Sequence, residues 1–437
     1  MESPSVRVGI LTEKAVSFVF NGEYVNAETG TFVTGEQRAL LIDNHIVYNG
    51  KIYKELFFDS IDPQASFDLK AVTIGINFHW ERKEDQRFKG ALLLLAGKDG
   101  IITINQVDVE DYLTSVISSE MSATASKELL KAHAVISRSW LLAQIEKNTL
   151  LKHSTEQYQT CYRDDNELIR WYDREDHELF DVCADDHCQR YQGITRASTP
   201  IVEEVINETR GEILTNGELI CDARFSKCCG GVTETFEHCW EPVHHPYLDV
   251  LRDSTETEYP DLSIEEEAEK WIRTSPEAFC NTTDKEILSQ VLNNYDQETA
   301  DFYRWKVTYS QAYLSELIHR RSGMDFGQII DLIPVLRGTS GRIEKLKIVG
   351  TRRTFTIGKE LEIRRTLSES HLYSSAFVVD KEEIHSDIPQ RFVITGAGWG
   401  HGVGLCQIGA AVMGAKGYSY GQILTHYFPG ANLEKRY

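Results

Sequence analysis

Between Leu129 and Ile145 apolar side chains fall on almost every side of a helix: Leu129, Leu130, Ala132, Ala134, Val135, Ile136, Trp140, Leu141, Leu142 and Ile145. A helix that is apolar all round belongs inside a protein core or a membrane. This one carries His133 and Arg138 and falls short of the ~20 consecutive apolar residues that a bilayer requires. It is therefore expected to be a central helix of a folded domain, capped by Ser126 and running through Glu146. A guanidinium inside such a helix needs an anion beside it. Glu120, an anionic group of a ligand, or a carboxylate elsewhere in the core could meet that need.

The core around this helix has material to build it. With 437 residues and 41% hydrophobic composition, the chain can bury one large core or two to three smaller ones. Residues 1–107 read as strands: the apolar runs Val6–Leu11, Ser17–Phe20, Ala39–Ile42, Ala71–Phe78, Ala91–Leu95 and Ile101–Ile104 are separated by turn pairs such as Asn21-Gly22, Asn49-Gly50 and Asp99-Gly100. Helical pattern begins abruptly at Asp108, a predicted N-cap. Val109, Tyr112, Leu113, Val116, Ile117 and Met121 then form one apolar stripe. Glu120 takes the next slot of that stripe, so its carboxyl is expected to turn inward unless the helix frays at Ser118-Ser119. Burial raises a carboxyl pKa, which suits a general acid working near neutral pH.

The expected fold class is α+β, with a β-rich N-terminal part, a helical pair, and a mixed C-terminal part containing a Gly-alternating strand. Expected boundaries are 1–107, 108–253, an acidic helical insertion at 254–300, and 301–437. Within the insertion Ser263 and Glu266 have the spacing of a capping box ahead of Trp271-Ile272, and its charge run reads as a solvated surface. The net charge of −21 excludes a general nucleic-acid binder, which needs a basic footprint. No transmembrane segment is expected. The opening Met-Glu-Ser-Pro-Ser-Val-Arg lacks a secretory pattern, so the chain is either cytosolic or begins after a removed leader.

Three further stretches carry chemistry. His177, Cys183, His187 and Cys188 form a compact set of the donor types that suit tetrahedral zinc. Four bound ligands would close the ion into a structural site, three would leave a position for water and hydrolysis, and free thiols with surface histidines are the alternative to both. Adjacent Cys228-Cys229 before Gly230-Gly231 reads as a tight turn more than a ligand pair. In Gly396-Ala397-Gly398-Trp399-Gly400-His401-Gly402-Val403-Gly404 glycine recurs at every second residue. Extended, this segment has one bare face for close approach of a backbone or ligand, and an opposite face carrying Trp399 and His401. Trp399 would offer a flat surface to a sugar, and His401 a hydrogen bond.

Taken together, four blocks resemble the stage II sporulation protein D / LytB family of peptidoglycan-acting proteins. They are Val109–Leu113 with Ser119-Glu120-Met121 and Leu130–Ala134 leading to Arg138-Ser139-Trp140; Cys183–Cys188 with Gln189 and Tyr191; Ala223–Ser226 through Gly230-Gly231 to Thr233-Glu234 and Trp240; and Gly398–Gly404 with Gln407, Gly409-Ala410 and His426–Gly430. The resemblance implies a lytic transglycosylase that cleaves the MurNAc–GlcNAc bond of glycan strands, preferably peptide-stripped, leaving 1,6-anhydro ends. It implies Glu120 as the catalytic acid/base, and Arg138, Ser226, Trp399, His401 and Gln407 as groove residues. It also implies a structural Zn2+ at His177, Cys183, His187 and Cys188, and a place in the cell envelope. The non-catalytic alternative is an amidase enhancer, a wall-binding partner of another hydrolase. The insertion and Cys406, where a small hydroxyl residue is more usual, depart from the family pattern.

Overall fold

Along the first hundred residues buried and solvent-facing positions alternate, the period of strands with one face on a core. In Ala15–Asn26, for example, Val16, Phe18, Phe20 and Tyr24 are buried while Ala15, Ser17 and Glu23 are exposed. The computed structural model of the chain describes residues 3–74, 82–122, 124–152, 159–171, 177–185, 188–195, 198–291 and 301–437. Positions 75–78 of the expected strand Ala71–Phe78, His187, and 292–300 of the insertion lie outside the described residues. Strands from Ser5–Glu13 to Ile101–Asp108 join one 11-stranded sheet, mostly antiparallel. Its inner face is a cluster of rings, among them Phe18, Phe20, Tyr24, Phe58 and Phe67. At one edge the short strand Val182–Cys183 pairs parallel with Ser5–Glu13, which brings a cysteine to the sheet margin.

Helix α1 (Val109–Glu120) follows directly, with the Asp108 carboxylate accepting from the Glu110 N–H at 2.8 Å, the local reason the sheet stops there. Helix α2 (Lys127–Lys152) starts after Ser126, whose carbonyl accepts from Leu130 N–H, and runs one to two turns beyond Glu146. It packs against α1, the helix Pro200–Glu208, the strand Glu212–Asn216, and the C-terminal helices Gln407–Ala415 and Tyr420–Tyr427. Neighbours on all sides are what its all-round apolar surface requires.

A second core lies under the C-terminal sheets. Arg304–Ser310, Ile388–Ala397 and Phe377–His385 form a three-stranded antiparallel sheet, and Ile329–Arg337, Ile343–Gly350 and Thr354–Gly358 belong to a five-stranded one. Trp305, Phe326, Leu346, Ile357, Phe377 and Phe392 pack between them. About 26% helix and 39% strand in separate blocks make the chain α+β. Among the described residues no helix is long and apolar enough to cross a membrane.

Three local expectations are corrected. The Gly-alternating segment is not an extended strand: Ile388–Ala397 ends there, and Gly398, Gly400, Gly402 and Gly404 take φ of +74°, +92°, +80° and +72°. These left-handed residues curl the chain into a loop, and added side chains would also collide. A Cβ on Gly402 would sit 2.5 Å from the Arg342 guanidinium, and one on Gly404 2.2 Å from the Arg224 carbonyl. The capping box at Ser263 does not form, because the Ser263 hydroxyl donates to Asp261 instead and Ile264 is the N-cap of Glu265–Arg273. Nor is the insertion only a solvated surface. Trp271, Ile272, Phe279 and Cys280 are buried, and Trp271 Nε1 donates to the Gly230 carbonyl at 3.2 Å.

Candidate functional site

Glu120 is the last residue of α1 and is half-buried. The segment following Cys188 lies along the same helix: Arg190 N–H donates to Glu120 Oε1 at 3.3 Å, Gln192 N–H donates to Ser115 Oγ at 3.1 Å, and Tyr191 stacks on Tyr112 at 5.0 Å. Burial pushes the Tyr112 phenol well above its ordinary value, with the thiols of Cys188 and Cys183 and the Glu120 carboxylate adding to the shift. The carboxyl stands at the rim of the core.

Arg138 is placed elsewhere than expected. It is 0% exposed, and its Nε and Nη2 donate to the two oxygens of Glu110 at 3.0 and 2.7 Å, while Nη1 donates to the Glu212 carbonyl at 3.0 Å. Glu110 also accepts from Tyr437 O–H at 2.6 Å and Gly211 N–H at 3.3 Å. The pair is saturated inside the core, so Arg138 is a structural residue that does not line a groove. Glu110 is the second residue of α1, and from there its side chain reaches Arg138 of α2 directly.

Gln407, at the start of the helix Gln407–Ala415, is also buried and already engaged. Its amide donates to His133 Nε2 at 3.0 Å, which leaves the ring proton on Nδ1, facing Ser137 Oγ at 3.1 Å. Burial, with Lys227 nearby, lowers His133 to about 3, so the ring is neutral. The Gln189 amide donates to the Ser137 carbonyl at 3.4 Å, which connects α2 to the segment that holds Glu120. Ser226 is buried in Phe225–Ser226, paired parallel with Leu405–Cys406, and its hydroxyl has no hydrogen-bond partner among the described residues.

Trp399 and His401 lie half-buried on the curled glycine loop. One face of the Trp399 indole is covered by Tyr373, stacked at 4.2 Å, and Phe302 packs at 4.8 Å. His401 Nδ1 accepts from Val403 N–H at 3.0 Å, and its ring meets Trp240 edge-on at 4.9 Å. Burial and the guanidinium charges of Arg224 and Arg342 hold His401 well below its ordinary value, leaving a neutral imidazole. Of the expected groove set, then, Trp399 and His401 keep partial access, whereas Arg138, Ser226 and Gln407 are interior.

Two charged residues that sequence reasoning passed over hold this loop. Arg342 Nε donates to the Gly400 carbonyl and Nη1 to the Cys229 carbonyl, each at 3.1 Å. Glu234, visible beforehand only as part of the Thr233-Glu234 block, is 0% exposed. It accepts from the backbone and hydroxyls of Thr339 and Ser340, from Thr235 N–H and from His238 Nδ1 at 2.9 Å. Its own N–H donates to the Gly402 carbonyl. Burial alone would raise Glu234, but the His238 contact and these donors lower it. His238 is lowered by burial but raised overall by Glu234. A lowered carboxyl stabilises the fold above the ordinary value of 4.5, and a raised imidazole does so below 6.5. The pair therefore contributes most between those values. Thermal melting of His238→Gln should fall furthest behind wild type near about pH 5.5, with the gap closing as pH rises through the raised His238 value; a gap independent of pH would refute the pairing.

The expected zinc ligands are partly brought together. One donor atom each of His177, Cys183 and Cys188 lies within 4.8 Å of the others, His177 Nε2 is 3.4 Å from Cys188 Sγ, and Cys183 N–H donates to Cys188 Sγ at 3.4 Å. An imidazole and two thiols in reach of one point fit the donor chemistry of zinc. His187, the fourth expected ligand, lies outside the described residues.

Comparisons with known proteins agree with the motif blocks. Residues 97–216 match the family described as stage II sporulation protein, and residues 234–404 match a domain of unknown function. An uncharacterized protein of Brachyspira hyodysenteriae is 25% identical over 422 residues, 96% of this chain and 87% of its own. A stage II sporulation protein D of Bacillus amyloliquefaciens is 23% identical over 334 residues, 76% of each chain. A Bacillus subtilis protein named amidase enhancer is 26% identical over 337 residues, 74% of this chain and 40% of its own length. The matched region spans α1, α2 and the Cys183–Cys188 segment, so this part of the chain is similar to the stage II sporulation protein domain, in line with the resemblance carried by the motif blocks.

Proposed function

We propose that this protein acts on the cell wall as a peptidoglycan lytic transglycosylase, with Glu120 as its acid and base. One observation carries the reading: among the glutamates of the motif blocks, Glu110 and Glu234 are saturated by donors, whereas Glu120 is half-buried and, among the described residues, accepts one backbone N–H. A carboxylate tied down by an arginine or several hydroxyls is a poor proton carrier, and one at a rim with free valence is a good one.

In the proposed reaction Glu120 gives its proton to the glycosidic oxygen between N-acetylmuramic acid and N-acetylglucosamine, and the C1–O bond breaks. The carboxylate then takes the proton of the muramoyl 6-hydroxyl as that oxygen bonds to C1, which returns Glu120 to its acid form. The product is a 1,6-anhydro end, and no water enters. One carboxyl serves both steps, in contrast to the pair used by most glycosidases. The partly exposed Trp399 and His401 would meet the sugar.

His177, Cys183 and Cys188, with His187, would hold a Zn2+ ion that stiffens the loop leading to Arg190, the donor to Glu120. Chelation should then lower the melting temperature along with activity; lost turnover at unchanged melting would favour a zinc hydrolase. A second reading, a non-catalytic enhancer of a separate amidase, is supported by the similarity to the amidase enhancer. Both readings place the chain in the cell envelope. Incubation with peptide-stripped glycan strands and mass spectrometry of the products separates them: anhydro ends are expected, reducing ends would mean hydrolysis, and intact strands would leave the enhancer.

A further inference from the structure

Four buried donors from separated parts of the chain converge behind the Gly230-Gly231 turn. Cys229, Asp253, Cys280 and Cys406 each place a donor atom within 4.8 Å of the other three, and none is more than 3% exposed. The Cys229 and Cys280 sulfurs are 3.6 Å apart. With zinc–sulfur bonds of about 2.3 Å, the edge of a tetrahedron is about 3.8 Å, so two thiolates sharing one ion stand about this far apart. A disulfide would need about 2.05 Å.

We propose that Cys229, Cys280, Cys406 and Asp253 form a closed structural zinc site, separate from the His177–Cys183–Cys188 set. Three thiolates and a carboxylate are a donor set that suits Zn2+ in four-coordination, and complete burial leaves no position for water. The surroundings are built to orient these groups. Cys229 N–H donates to Cys406 Sγ at 3.3 Å, and Gly231 N–H to Cys229 Sγ at 3.4 Å. Asp253 accepts from Tyr427 O–H at 2.6 Å and from Cys280 N–H at 2.9 Å, the outer contacts that fix a ligating carboxylate. Cys406 is the N-cap of Gln407–Ala415, where the helix dipole favours a thiolate. Gly409 must be bare, since a Cβ there would lie 2.6 Å from Asp253 Oδ1. Binding releases the three thiol protons to solvent. The loaded site carries net negative charge, and the guanidinium groups of Arg342 and Arg304 donate to the Cys229 and Gly230 carbonyls of the same loop.

An open cleft of about 530 Å³ is lined by Ser254, Phe279 and His426, chain neighbours of Asp253, Cys280 and Tyr427, and by Tyr418. Once bound, the ion ties Cys280 of the insertion, and Asp253 just before it, to Cys229 and to Cys406 of the strand Leu405–Cys406. This gives the insertion a structural role that holds whether or not the chain cleaves glycan.

The test is zinc content. The full chain and its Cys183→Ser/Cys188→Ser variant are loaded with Zn2+ alone, desalted and analysed for metal. The double variant is expected to retain about one zinc per chain, and adding Cys280→Ser or Asp253→Asn to remove it. Cobalt substitution of the double variant should produce intense sulfur-to-metal absorption that Cys406→Ser weakens. A folded double variant without zinc, or recovery of Cys229 and Cys280 as a disulfide from the native chain, overturns the proposal. If the double variant does not fold, anomalous scattering at the zinc edge from crystals of the full chain decides by position: a peak beside Asp253 supports the site, and its absence there overturns it.

Discussion

Glu120→Gln is expected to lower formation of anhydro-ended product by at least about 1,000-fold while leaving the melting temperature essentially unchanged. The amide keeps the shape of the side chain and can still accept from Arg190 N–H, so little packing is disturbed. What it loses is the acidic proton that a carboxyl can give and take back. General acid and general base assistance each contribute roughly 100- to 10,000-fold, and this reading asks one group for both. The loss should appear in kcat for pre-bound glycan, with binding of the strand retained. Anhydro product at a wild-type rate from the folded variant would end the assignment of Glu120, and with it the transglycosylase mechanism proposed above.

Arg138→Ala is expected to be the most destabilising single change among the motif residues, at about 3–5 kcal/mol. The cost comes from the partner left behind. Glu110 would keep Tyr437 O–H and Gly211 N–H, but its charge would face an apolar interior without a cation. For unfolding of a chain of 437 residues as one unit, the unfolding entropy is about 0.9 kcal/mol/K, so this loss corresponds to a drop of roughly 4 °C in Tm. Glu110→Leu combined with Arg138→Met should cost less than the two single losses added together, because removing both charges leaves neither unpaired. If Arg138→Ala instead melts like wild type and weakens glycan binding, the arginine belongs to the groove after all.

These two residues show how far sequence reasoning reached. An all-apolar helix surface identified α2 as central, and an interior arginine identified the need for an anion. The stripe beginning at Asp108 marked α1 and put Glu120 at its end, where the structure has it. Three carboxylates of α1, Glu110, Asp111 and Glu120, were candidates for Arg138, and the pattern did not say which one reaches across. Glu110 lies off the apolar stripe, so nothing in the spacing marked it as the partner. The glycine segment likewise showed its need for close approach, but alternation along a sequence does not distinguish an extended bare face from a loop of left-handed turns. Contacts with Arg342 and Arg224 made that choice.

By itself, the order of residues determined the strand-rich beginning, the two helices and the burial of α2, because period, caps and side-chain polarity act over a few neighbouring residues. Only the tertiary structure decided which acid neutralises Arg138, how the glycine loop curls, and that Asp253 meets Cys229, Cys280 and Cys406. Those outcomes depend on distances between segments far apart along the chain. A lone thiol or carboxylate carries no mark of its partner until packing brings the two together.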